Sequence, residues 1–145
     1  MDHVAYMKPA WHFLPKILSG QKIIESRWYL SKRSPWGQIQ SGDTVFFKDT
    51  GQPVTAKATA KKILAFENLT PAKIMTILWE YGQADGINQS QVPVFYERFK
   101  NKKYCLLIFL KNPEAVPPFE VNKKGFGAMS AWITIPDVHS ITRPY

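Results

Sequence analysis

ILSGQKIIESRW, residues 17–28, is where a helical pattern gives way to a strand, and its charged positions decide how the rest is read. Upstream, Trp11, Phe13, Leu14, Ile17 and Leu18 fall near helical spacing, which predicts a helix within residues 10–19. Pro15 predicts that this helix starts late or is kinked, and Gly20 is a good stop. The next stretch, KIIESRWYL, is β-branched and aromatic enough to read as a strand over residues 22–29. Alternate side chains of a strand share a face, so Glu25 and Arg27 point the same way. Lys22 has the other parity, but it stands two residues past Gly20, where the chain is still turning, and can reach the same end. A lone charge is costly to bury. Glu25 and Arg27 therefore either pair with each other to close one end of the sheet, or face a ligand together with Lys22. In the second case Arg and Lys grip phosphate or a carbonyl, and Glu accepts from the amino group of a base.

Further along, DTVFFKD predicts a strand over residues 43–48, and a turn at residues 50–53 leads to a long strand over 54–66. There Val54, Ala56, Ala58 and Ala60 alternate with Thr55, Lys57, Thr59 and Lys61, a half-buried pattern of period two. Thr70 and Pro71 are an N-cap and a first helical residue, and Ile74, Ile77, Leu78 and Tyr81 form that helix's apolar stripe up to Gly82. A short helix is expected around residues 95–99. The run YCLLIFL predicts a central strand over 103–110; the Pro-rich EAVPPFEV and the turn-rich GFGAMSAW then lead to a last short strand in SAWITI. His3 to Lys8 reads as extended before Pro9. This mixed order, without repeat or linker, predicts one α+β domain over residues 1–145, with a strongly curved sheet or barrel and two or three helices.

Nineteen Lys and Arg against eleven Asp and Glu give a formal charge of +8, which favours a polyanionic partner or else serves solubility. Aromatic residues are 14% of the chain; they suit base stacking as well as core packing. No apolar run approaches the roughly 20 residues that span a bilayer, and the opening MDHVAYMKPAW lacks a signal-peptide layout, so a soluble cytoplasmic protein with no membrane partner is expected. The one cysteine, Cys105, sits in an apolar run and reads as a core residue. His3, His12 and His139 are scattered, and neither a metal-ligand spacing nor a phosphate-binding glycine loop occurs, so no metal or cofactor is expected.

Three landmarks in order carry a resemblance. They are Gly20, Lys22, Glu25 and Arg27 in the pattern Gly-x-Lys-x-x-Glu-x-Arg, then Gly42-Asp43 before an apolar strand, then the Val-x-Ala-x-Ala strand beginning at Val54. Over roughly residues 4–110 the chain resembles the ASCH domain family of the PUA-like superfamily. The resemblance implies a PUA-like β-barrel with a cleft near the first helix and the strand after it, and an RNA or nucleotide-like ligand. One branch of the family removes the acyl group of an N4-acylated cytidine with a Lys–Thr–Glu set. Lys22 matches its lysine, Glu25 stands where its threonine would be, and Glu80 and Asp85 are both candidates for its glutamate.

The expected function is nucleotide or RNA binding in a basic cleft, with a modified base as one form of the ligand. The alternatives are an enzyme on the same cleft, a nucleoside amidohydrolase or ribonuclease with Lys22 and Glu25 as catalytic groups, and a protein-interaction domain. Candidate ligand-binding residues are Lys22, Glu25, Arg27, Trp36, Lys48, Ser130 and Trp132. Lys48 shares a face with Phe46 and either points into the cleft or ends the strand in solvent. Trp36, in a basic loop with Lys32 and Arg33, is either a stacking platform or folded back on the core. Ser130 and Trp132 flank a glycine-rich turn that permits close approach of a ligand.

Overall fold

The computed structural model describes residues 1–144. Its strands are β1 (Asp2–Met7), β2 (Ile24–Tyr29), β3 (Thr44–Asp49), β4 (Val54–Phe66), β5 (Tyr104–Val121), β6 (Trp132–Ile135) and β7 (Thr142–Pro144). Its α-helices are α1 (Phe13–Leu18), α2 (Pro71–Tyr81) and α3 (Val92–Phe99). All strands join one mixed sheet in the order β2-β5-β4-β3-β1-β6, with β7 on the far half of β5. Only the β1–β3 pairing is parallel among the described residues.

The sheet curls into a half-barrel, as the resemblance implied for this α+β chain. The register shifts three times along β4–β5 and once along β3–β4. Each bulge bends its strand and increases the twist. The four strands expected over residues 22–29, 43–48, 54–66 and 103–110 all lie in this sheet.

Helices α1, α2 and α3 cover one face of the sheet through Ile17, Ile74, Leu78 and Phe95, in one core with Val45, Phe47, Ala58 and Leu107. A smaller cluster of Val4, Phe46, Val54, Val121, Ile133 and Val138 forms beside it. Neighbouring residues of β3 thus enter different clusters, which explains why VFF is a continuous apolar run rather than an alternating one.

Three local details differ from the sequence expectation. The first helix is split into a 3-10 turn at Pro9–Trp11 and α1, with His12 between them in the left-handed region at φ 55°. Pro15 then falls in the first turn of α1, where its missing N–H costs no helical bond. Strand β5 continues through the Pro-rich segment to Val121, pairing with the start of β4 and with β7. Helix α3 begins earlier, at Val92, with Pro93 in its first turn. Among the described residues no helix is long and apolar enough to cross a membrane.

Candidate functional site

The chain after α2 returns to the mouth of β2 because the backbone pins it there. The Ala84 carbonyl accepts from the N–H groups of both Ile23 (2.8 Å) and Ile24 (3.0 Å), and Lys16 Nζ donates to the Gly86 carbonyl at 2.8 Å. Gly86 has φ +84°, and a Cβ there would sit 3.2 Å from Lys22 Cδ. A residue without a side chain lets the Lys22 stem pass against this turn. Asp85 is thereby set against the lysine 63 positions away.

Lys22 is 1% exposed. Its ammonium meets Asp85 Oδ1 at 2.5 Å, the Asp85 carbonyl at 2.6 Å and Glu25 Oε1 at 3.2 Å, and it lies over the Phe13 ring at 4.4 Å. Three acceptors for three N–H bonds leave the group committed. Glu25 gives its other oxygen to Arg27, which donates from Nε at 3.1 Å and from Nη2 at 2.8 Å. The same guanidinium donates to the carbonyls of Tyr6 and Ala131, both at 3.3 Å, and so bridges edge strand β2 to the β1–β6 side of the open barrel. Ser26 Oγ donates to Asp85 Oδ2 at 2.5 Å and accepts from Trp28 Nε1 at 3.0 Å.

The two buried carboxyls are driven apart. Burial pushes Glu25 up, but the charges of Lys22 and Arg27 and their hydrogen bonds outweigh it, holding the group below its ordinary range. Burial also pushes Asp85 up; the Glu25 charge adds to this, and Lys22 and Ser26 oppose it without reversing it. Glu25 is thus the fixed anion of the pair, and Asp85 the one that takes a proton more readily.

Glu25, Ser26, Arg27 and Asp85 open onto a cavity of about 580 Å³. Its apolar wall includes Trp11, Phe13, Phe95 and Phe99. Lys8, Arg98, Lys102 and Lys123 also line it, and among the described residues none of the four has a carboxylate within salt-bridge distance. Lys8 is held below the usual lysine range by partial burial and by the charges of Arg98 and Lys102; Lys123 is held below it by burial and by Lys48. Like charges gathered without counterions make a place where an anion is favoured. A second cavity of about 600 Å³ adjoins the first.

The structure brings the sequence candidates together only in part. Glu25 and Arg27 line the first cavity, Ser130 lines both, and Trp132 lines the second, with the Arg27 guanidinium 5.0 Å from its ring centre. Lys22 lines neither; its ammonium is spent on Asp85 and Glu25 behind the cavity wall. Trp36 lines neither either, and packs edge-on against Tyr104 with ring centres 5.4 Å apart. Lys48 is buried, 5.0 Å from the Tyr6 ring centre and 3.9 Å from Glu120, and reaches the first cavity only through Tyr6. Of the two acidic candidates, Asp85 joins Lys22, while Glu80 is exposed on α2. Sequence reasoning did not single out Ser26, Trp11 or the four cations Lys8, Arg98, Lys102 and Lys123. Ser26 shares the quoted stretch with Glu25 and could have been found there; the cations come from separate segments.

No family model matches the sequence, and no curated protein matches it significantly. Solved structures do. The ASCH protein of Zymomonas mobilis superposes with a TM-score of 0.68 at 17% identity, over 99% of this chain and 96% of that one. The N-terminal domain of McrB from Staphylothermus marinus gives 0.61 at 10% identity, over 96% and 93%. This curled half-barrel of mixed strands with three helices is the ASCH fold.

Proposed function

We propose that the chain is an ASCH domain protein whose cleft binds RNA or a nucleotide-like ligand. The base seats against Trp11, Phe13 and Phe95 with its amino edge toward Glu25, and the phosphate lies among Lys8, Arg98, Lys102 and Lys123. A carboxylate held ionised accepts from an exocyclic amino group, which favours cytosine or adenine over uracil at this position. Ser26 beside it offers a hydroxyl, so the floor also suits a base with a polar substituent on that amino group. The observation that carries this reading is a set of four cations without carboxylate partners among the described residues, around one aromatic-walled cavity with a buried carboxylate.

Tryptophan fluorescence titrations with cytidine, CMP and UMP test it. CMP should bind more tightly than cytidine, because only CMP engages the cations, and more tightly than UMP, because only cytosine donates to Glu25. Failure of all three to bind, or equal affinity for cytidine and CMP, refutes the reading.

One observation favours a second reading, an enzyme on the same cleft. The Ser26 hydroxyl lies 2.5 Å from a carboxyl oxygen of Asp85, the hydrogen-bonded pairing that hydroxyl activation needs. Product assays on N4-acetylcytidine and short RNA, with Ser26→Ala and Asp85→Asn as controls, decide it. The position of the family's threonine is Glu25 here, so the binding reading stands first.

A further inference from the structure

The second cavity gives the ligand a length. It is as large as the first, about 600 against 580 Å³, and each falls within the range of one small-molecule site. The two share a wall made by Arg27, Trp28, Lys102, Met129, Ser130 and Ala131. The wall is therefore a divider inside one longer cleft, with a cation, Lys102, on the divider itself. Beyond it the second cavity has its own cation, Arg33, exposed and without a carboxylate at salt-bridge distance among the described residues. Two apolar side chains in unusual exposure line it, Leu30 at 63% on its own side and Met129 at 94% on the shared wall. Apolar surface beside an unpaired cation repeats, one step along, the composition of the first cavity.

We infer that the second cavity receives the neighbouring nucleotide of a single-stranded oligonucleotide, with the linking phosphate at Lys102. This rests on the nucleotide reading of the first cavity and extends it from a mononucleotide to a strand. Recessed cavities accept bases only when they are splayed from a stack, which single strands allow and duplexes resist. Bases laid on apolar surface beside a basic track are the general mode of single-strand binding. Met129 and Leu30 supply that surface, and Lys102 and Arg33 the track.

The experiment compares CMP with the two dinucleotides that carry cytidine, CpA and ApC, on wild type, Arg33→Ala and Arg98→Ala. Arg33 touches only the second cavity and Arg98 only the first. At least one dinucleotide should bind about tenfold or more tightly than CMP, the scale of one added stacked base. Arg33→Ala should remove most of that gain and leave CMP affinity unchanged, whereas Arg98→Ala should weaken both ligands. If CMP binds and neither dinucleotide binds more tightly, the second cavity is no subsite, and the nucleotide reading stands alone. A gain that survives Arg33→Ala also overturns the extension. Failure of CMP and both dinucleotides to bind overturns the reading and the extension together.

Discussion

Replacing Lys22 by Met keeps the buried stem and removes the ammonium. The stem stays packed on Gly86, but Asp85 Oδ1, the Asp85 carbonyl and Glu25 Oε1 all lose their donor, at present 2.5, 2.6 and 3.2 Å away. Lys22 itself lies behind the cavity wall, so the atoms it serves face the protein interior rather than the cavity water. Breaking a buried ion pair by removing one partner costs about 3–5 kcal/mol. For a chain of this length the unfolding entropy is about 0.3 kcal/mol/K, so the melting temperature should fall by about 10–16 °C at pH 7. The pH dependence has a definite sign. In the wild type Glu25 is held below its unfolded range, so its contribution is present above about pH 4.3 and is lost as pH falls through its lower folded value. Without Lys22 that contribution shrinks, and the variant's deficit should narrow in acid. Thermal melts by circular dichroism at pH 7 and at about pH 3 measure both effects. A fall below about 3 °C at pH 7, or a deficit that widens in acid, refutes a structural role for this ammonium.

His3 is fully buried, with Nε2 2.8 Å from Asp43 and Nδ1 accepting from Trp132 Nε1 at 3.0 Å, and burial holds it below the ordinary histidine range despite Asp43. Unfolding then takes up a proton below about pH 6.5, so stability should decline as pH falls from there to the lower folded value, and His3→Gln should remove that slope in urea titrations. The Cys105 thiol is fully buried and pushed well up by burial and by Asp85, so iodoacetamide should label it only after denaturation. Labelling at the unfolded rate in native buffer contradicts the packing of β5.

The strands were legible wherever one face was buried, because alternation or a continuous apolar run then marks the residues. The second half of β5 escaped for a physical reason. Residues 111–115, 117 and 118 are exposed and three of them are prolines, so neither burial pattern nor propensity announces a strand. Its pairing with β4 and the Lys57–Glu114 contact at 3.1 Å mark it only in three dimensions. Within the site, strand parity was enough to set Glu25 beside Arg27. Choosing Asp85 over Glu80 required knowing where the turn after α2 docks, and that is set by backbone hydrogen bonds to Ala84. Lys22 was placed at the same end as Glu25 because the chain is still turning after Gly20; it is there, with its ammonium held by Asp85 and Glu25.

Affinity for a short labelled RNA as a function of salt, in wild type and in the double variant Arg98→Ala, Lys102→Ala, reports whether these cations meet phosphate. Each single-strand phosphate neutralised contributes about −0.7 to the slope of log K against log salt, so one or two phosphates held among the four cations predict about −0.7 to −1.4. The double variant should bind more weakly, with a shallower slope. No binding at 50 mM salt, or a slope that both proteins share, contradicts the assignment of this cavity to a nucleic-acid ligand.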